Sequence, residues 1–357
     1  MLTEAEADEL RASCTRFLAG HGPTLAAEAL AVIPPATVVD RYGDGGVVAE
    51  LEATVAGLLG TESAVFLPSG VMAQQIVLRV HAERRGRRTV LYHPMCHLEQ
   101  HEGRALERLQ GLIGRPVGEA HRLLTAEDLG SVAEPAAALL IELPQRDLGG
   151  QQPAWEDLEA QVAWAREHGA AAHLDGARLW ESAAGYGVPP ARIAALFDSV
   201  YVSFYKGIGA LAGCCVAGDA ALVAEVREWR RRMGGTLFGL WPLAASALAL
   251  LPGRLERMPR YLGQARAIGA ALAGVPGVRV VPDPPQTPML HVLLTTDEAT
   301  VDAAVRRHAA DGVWTIRGAS ATADPAVLRF ELPVGDATCA LQPGEAAALI
   351  AALVQPV

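Results

Sequence analysis

Lysine is almost missing from this 357-residue chain: Lys206 is the only one among thirty lysine and arginine residues. A guanidinium stays protonated at any physiological pH, whereas a desolvated ammonium can lose its proton and act as a nucleophile or Schiff-base partner. A chain that uses arginine for every other cation therefore marks position 206 as a candidate for amine chemistry. Net positive charge is also missing. The formal charge is −10 and the pI near 5.5, which argues against nucleic acid or an anionic membrane as partner and favours a small-molecule enzyme. No apolar run reaches membrane-spanning length without a charge or a Pro/Gly break, and Met1 to Arg11 is acidic and amphipathic with no signal-peptide core, so a cytoplasmic location is expected. The five cysteines are an odd number without zinc-ligand spacing. Cys214 and Cys215, adjacent in an apolar segment, read as core thiols on opposite strand faces, and Cys96 beside His97 as a bystander.

With 51% apolar residues and a mean hydropathy of +0.21, the chain can bury a large core and is long enough for two domains. Short apolar strands alternate with helical periodicities through its first two thirds: Ser63 to Leu67, Thr89 to Tyr92, Ala137 to Leu143, Ala171 to Asp175 and Ser199 to Phe204. That alternation predicts an α/β fold with a mainly parallel sheet covered by helices on both faces. Residues 1–20 read as an N-terminal arm, 21–245 as a large domain and 246–357 as a small α+β domain, entered through a Leu240 to Leu272 helical region interrupted at Pro252-Gly253. Strands are expected at 278–281, 291–294, 313–316 and 327–332.

Candidate chemistry collects at strand ends, where open α/β sheets place their sites. Lys206 follows the Ser199–Phe204 pattern and precedes Gly207 and Gly209. Pro68-Ser69-Gly70-Val71-Met72 turns from a strand into a helix, an arrangement suited to an anion because unpaired N–H groups and the helix dipole point outward. It lacks the nucleotide P-loop pattern, so a monophosphate cofactor is the better match. His93, His97 and His101 have no acidic partner pattern for zinc, and no metal is expected. A strand-end His97 could instead stack on a flat ring or move a proton. Asp175 is either a cap for the following helix or, with Lys206, half of a pair in which the carboxylate meets a protonated ring nitrogen and the lysine holds an aldehyde. Arg178 offers a planar fork for a carboxylate. Tyr42, in the loop Asp40 to Gly46, is either a connector residue or a ligand contact. Arg329 is either a surface residue or an inward carboxylate clamp. The run Arg230 to Arg232 reads as a solvated face, with one member able to reach a phosphate.

Together the segments Arg41-Tyr42-Gly43-Asp44, Leu67 to Ala73, His97, His173-Leu174-Asp175-Gly176-Ala177-Arg178-Leu179-Trp180 and Lys206 to Ala210 resemble the threonine aldolase and β-eliminating lyase family of fold-type I pyridoxal-phosphate enzymes. The resemblance implies an aspartate-aminotransferase-like large domain with pyridoxal 5′-phosphate bound covalently to Lys206. Asp175 would pair with the pyridine nitrogen, and His97 would stack on the ring and take part in catalysis. Ser69, Gly70, Val71 and Met72 would cradle the phosphate, with Ser203 and Arg178 also at the cofactor. Ser13, Tyr42, Gln145, Arg178 and Arg329 would meet an amino-acid substrate, and a homodimer or homotetramer would place Tyr42 across a subunit boundary. The implied reaction cleaves a β-hydroxy-α-amino acid to glycine and an aldehyde. Transaldol transfer, β-elimination, transamination and a non-catalytic binding role are the rivals. The chain departs from the family pattern at Val71, which replaces a threonine, and at Gln145, which replaces a histidine and cannot be a base. It departs again at Gly234 to Phe238, where an arginine is lost. A nicotinamide dehydrogenase is disfavoured by the spacing of Gly207, Gly209 and Gly213.

Overall fold

A computed structural model describes residues 2–355 and divides them into two compact units. The first comprises residues up to Pro23, Leu148–Gln151 and everything from Arg257 onward; the second comprises Thr24–Asp147 and Gln152–Glu256.

In the first unit the helix Glu4–Ser13 begins at a capping box, with Thr3 and Glu6 exchanging hydrogen bonds, and strand β1 (Arg16–Phe17) follows. The second unit holds a seven-stranded sheet: β2 (Ser63–Leu67), β3 (Thr89–Tyr92), β4 (Ile113–Pro116), β5 (Ala138–Glu142), β6 (Ala171–Gly176), β7 (Ser199–Ser203) and β8 (Cys214–Gly218), in the order β2-β8-β7-β6-β5-β3-β4. Only β8 runs antiparallel to its neighbours. β5 to β8 are buried along their whole length, as expected for strands covered on both faces. The helix Gly70–Arg85 packs Ile76, Val77 and Val80 into one cluster with Val90, Leu140 and Val216; each such side chain contributes roughly 1.5–3 kcal/mol by leaving water. Cys214 and Cys215 are fully buried in β8, and Cys96 is also buried.

A buried polar chain links β6 and β7 to the helix Gly70–Arg85. Ser199 Oγ is 2.7 Å from His81 Nε2 and 2.8 Å from His173 Nδ1, and His173 Nε2 is 2.8 Å from Gln74 Oε1. Burial pushes His173 down to about 3 and His81 well below the ordinary imidazole range, so both rings are neutral.

The first unit continues with β9 (Val278–Val281), β10 (Met289–Thr295), β11 (Val313–Trp314), β12 (Ser320–Ala321) and β13 (Val327–Pro333). β12-β13-β10-β9 form an antiparallel sheet, while β1 pairs in parallel with β11. The expected strand at 313–316 is therefore only two residues long, and the N-terminal arm is stitched by main-chain hydrogen bonds to a distant segment of its own unit. Gly149 and Gly150 join this unit at φ +82° and +74°; Cβ atoms there would lie 2.4 Å from Val281 O and 2.6 Å from Met289 O.

Two expectations are corrected. The helix Trp241–Leu272 runs unbroken through Pro252-Gly253; Leu251 and Met258 bury their side chains on either side, and that packing outweighs the hydrogen bond a proline removes. Arg230 is not on a solvated face. It is 1% exposed, donates to Phe66 O at 2.7 Å, and its NH2 would sit 2.6 Å from a Cβ on Gly43. Arg231 and Arg232 are exposed as expected.

Candidate active site

The register of the parallel strands decides which chemistry meets. Glu142 pairs with Asp175 across β5 and β6, and Asp175 with Tyr201 across β6 and β7. The C-terminal ends of three adjacent strands thus present Glu142, Asp175 and, three residues past Ser203, Lys206. Burial pushes Glu142 up to about 8 and Asp175 up to about 7. The Asp175 charge raises Glu142 further, while the Lys206 ammonium is a cation that lowers Asp175. Asp175 Oδ1 accepts the Ala177 N–H at 3.1 Å, so it closes a local turn, and Arg178 is the residue that caps the helix Leu179–Tyr186.

Lys206 lies in a tight loop closed by Gly209 N–H to Lys206 O (3.1 Å) and Ala210 N–H to Phe204 O (2.8 Å). Its Nζ is 5.0 Å from the centre of the Tyr205 ring. The buried Glu181 carboxylate accepts the Gly207 N–H and sits 3.7 Å from the Arg178 guanidinium; burial raises it above the usual carboxylate range, and Arg178 offsets part of that rise. Ser203 is buried at the end of β7, and its carbonyl accepts from Trp180 Nε1 at 3.2 Å.

His97 opens the short helix His97–His101. Its backbone N–H donates to Glu142 Oε2 at 2.9 Å, and its Nδ1 is 3.1 Å from Glu102 Oε1, whose other oxygen accepts from Gln75 at 2.8 Å. A carboxylate on one ring nitrogen fixes the imidazole's orientation. Gln145 Nε2 donates to Met95 O at 2.8 Å and approaches Glu142 at 3.3 Å. His93 lies outside the helix, its Nε2 directed at the carbonyls of Glu119 and Arg122.

The helix Gly70–Arg85 begins at Ser69, whose side chain makes no capping hydrogen bond. That leaves the first-turn N–H groups of Gly70, Val71 and Met72 available. Gly70 is required here: a Cβ would lie 2.2 Å from the Tyr201 hydroxyl and 3.1 Å from that of Tyr205. Val71 is exposed, and Met72 packs against the core.

Lys206, Asp175, His97, Ser69–Met72, Arg178, Ser203, Gln145 and Tyr42 all belong to the second unit, Ser13 and Arg329 to the first. Tyr42 adopts φ +56° and stands edge-on to Phe238, ring centres 5.3 Å apart. Ser13 is exposed and donates to Leu10 O at 2.8 Å. Arg329 lies on the face of β13 opposite Leu328 and Phe330. Among the described residues no group of three or more His, Cys, Asp or Glu has the arrangement of a metal site. Sequence reasoning passed over Glu102, Glu181 and the structural role of Glu142; a lone carboxylate inside an otherwise apolar strand, as in Ala138–Glu142, was the available signal.

Residues 36–295 match the family of beta-eliminating lyases. A Listeria monocytogenes protein assigned as an L-allo-threonine aldolase matches with a TM-score of 0.91 and 40% identity, covering 98% of both chains. An Exiguobacterium protein assigned as an aromatic amino acid beta-eliminating lyase/threonine aldolase matches with a TM-score of 0.90 and 37% identity over 96% of this chain and 98% of its own. Low-specificity L-threonine aldolase 1 of Arabidopsis thaliana is 27% identical over 281 residues, 76% of this chain and 78% of its own length. The sheet order, the strand-end site and these likenesses lead to one conclusion: the chain is a member of the beta-eliminating lyase family, with the fold-type I architecture of pyridoxal-phosphate enzymes.

Proposed function

We propose that the protein cleaves a threonine-like β-hydroxy-α-amino acid to glycine and an aldehyde, with pyridoxal 5′-phosphate held at Lys206. The single observation that carries this reading is the buried Asp175 carboxylate at the end of β6, raised by burial and lowered by the Lys206 charge. The residues fit the cofactor. The uncapped helix start at Ser69–Met72 suits its phosphate, the buried carboxylate suits a ring nitrogen that carries a proton, and the only lysine supplies the amine. Gly70 leaves the close space beside the Tyr201 and Tyr205 hydroxyls that any side chain would fill.

When bound, the cofactor supplies an electron sink for charge developing at the substrate α-carbon. The protein's part is positional and electrostatic. Asp175 would keep a proton on the ring nitrogen by a charge-assisted hydrogen bond. His97, oriented by Glu102 and anchored through its backbone to Glu142, would cover the ring. Arg178, braced by Glu181, would hold the substrate carboxylate, with Tyr42 as a further contact. Gln145 accepts no proton; it ties the Met95 segment to Glu142.

Self-association into a dimer or tetramer is part of this reading. It is supported by the apolar side chains Val38, Val39, Tyr42 and Phe238, which are 70, 56, 50 and 69% exposed on one unit, since exposed apolar surface marks interaction sites. All five cysteines are free thiols, which suits a reducing, cytoplasmic setting. No described helix is long and apolar enough to cross a membrane.

The test is aldehyde release from L-threonine and L-allo-threonine by the cofactor-loaded protein, with glycine measured in parallel. Equimolar glycine and aldehyde support the reading. Pyruvate or another keto acid without aldehyde would move the chain to β-elimination or transamination, and cofactor uptake without any product would leave a binding protein.

A further inference from the structure

We propose that His101 is the base that removes the substrate's β-hydroxyl proton and that Asp147 orients it, an assignment that rests on the aldolase reading above. Cleavage requires a proton acceptor, and the obvious candidates are committed elsewhere. Gln145 has no titratable group and spends its amide on Met95 O. His97 has the role of covering the cofactor ring, with its Nδ1 held by Glu102.

One turn along the same short helix, the His101 ring stands 5.1 Å from the His97 ring, at 47° to it. Its Nε2 lies 2.7 Å from Asp147 Oδ2. The Asp147 side chain is only 10% exposed, while that of His101 is 39% exposed and reachable. Arg146 closes the group, with NH1 3.3 Å from the same imidazole nitrogen and 3.6 Å from Asp147 Oδ1. The carboxylate oxygen at 2.7 Å is the closer of the two partners of Nε2, and it places the proton on that nitrogen in preference to the 3.3 Å contact from Arg146. The lone pair is therefore on Nδ1, which has no hydrogen-bond partner among the described residues. A half-buried aspartate that fixes the tautomer and leaves the opposite nitrogen basic is the division of labour of catalytic His-Asp pairs.

In the step assigned to it, Nδ1 takes the β-hydroxyl proton. The oxygen forms a carbonyl with Cβ, the Cα–Cβ bond breaks, and its electron pair stays on the Cα side. Cα later gains one proton and His101 returns its own to solvent, so glycine and the aldehyde form without an oxidant or further reactant.

His101→Gln keeps an N–H for Asp147 and removes the lone pair. It is expected to lower kcat for cleavage of L-threonine or L-allo-threonine on the order of 10²- to 10³-fold, with KM little changed. Exchange of the glycine α-proton in deuterium oxide, which needs no β-hydroxyl base, should continue at the wild-type rate. Asp147→Asn should lower kcat by about tenfold or more and displace the acidic limb of the kcat/KM–pH profile. In the cofactor-free protein, nitrogen-15 NMR of labelled histidine should find the His101 proton on Nε2, and a mixture of tautomers in Asp147→Asn. Three results overturn the assignment: His101→Gln cleaving at the wild-type rate, His101 carrying its proton on Nδ1, or parallel loss of cleavage and glycine exchange, which would make His101 a structural support. A wild-type protein that exchanges glycine but releases aldehyde from no β-hydroxy amino acid sinks the aldolase reading itself, and that outcome is distinct from the other three.

Discussion

Glu181 and Gly207 are in direct contact: a Cβ on residue 207 would stand 2.1 Å from Glu181 Oε1 and 2.7 Å from its carboxyl carbon. The loop that carries Lys206 is thereby fixed to the helix that follows Asp175 and Arg178. Glu181 has little freedom to retreat, because it is 3% exposed, receives the Gly207 N–H and faces Arg178. Gly207→Ala should destabilise the protein by about 1–3 kcal/mol, the usual penalty for overpacking, measured as a lower urea midpoint at unchanged slope. A midpoint equal to wild type would show that the contact is loose.

The two families of buried titratable groups give opposite pH dependences. Glu142 at about 8 and Asp175 at about 7 stand above the value of about 4 expected for an unfolded carboxyl. The folded state therefore binds more protons than the unfolded one across that window, and stability is lost as pH rises through it. His81 and His173 are depressed, so their contribution is present above about 6.5 and is lost as pH falls. Only the carboxyls act between about 6.5 and 8. The melting temperature of the cofactor-free protein should fall over that interval, and Glu142→Gln should flatten the fall. A melting temperature that climbs from pH 6.5 to 8 would contradict the burial of this pair.

At the anion end, Gly70→Ala should weaken binding of pyridoxal 5′-phosphate by about tenfold or more, since the added methyl would meet the Tyr201 hydroxyl at 2.2 Å and displace first-turn N–H groups that hold phosphate. Adding Tyr201→Phe should recover part of the affinity, because the next nearest atom of that ring lies at 3.1 Å. Titration of absorbance against cofactor reads both variants. Equal affinity in wild type and Gly70→Ala would remove Ser69–Met72 from the site.

Much of the large unit was legible in the sequence because buried parallel strands are short apolar runs with sharp ends. Ser63–Leu67 and Thr89–Tyr92 have the expected bounds, and Ala138–Glu142 and Ala171–Gly176 differ from theirs by a residue or two. Lys206 stood out for a chemical reason, as a retained amine among arginines. Periodicity could not reveal pairings between distant segments. Asp40 looks like a loop residue, yet it accepts the N–H groups of Gly43, Leu240 and Trp241, tying that loop to the start of a helix two hundred positions away. Arg230 sits in a triple arginine that reads as surface, and only the fold places the Phe66 carbonyl and Gly43 against it. In the sequence His101 is one of three closely spaced histidines with no acidic partner nearby; its partner Asp147 is forty-six residues on, and only the fold sets the turn after β5 beside the short helix.

Lys206 is the residue proposed to carry the cofactor. Because it is the only lysine, borohydride reduction of the cofactor-loaded protein followed by peptide mass mapping tests that role directly. One pyridoxyl phosphate per chain on the peptide containing Lys206, absent from Lys206→Ala together with the yellow absorbance, is the expected result. An unmodified Lys206 in a protein that still binds the cofactor, or a Lys206→Ala protein that keeps both colour and turnover, would contradict a role for Lys206 as the cofactor's amine.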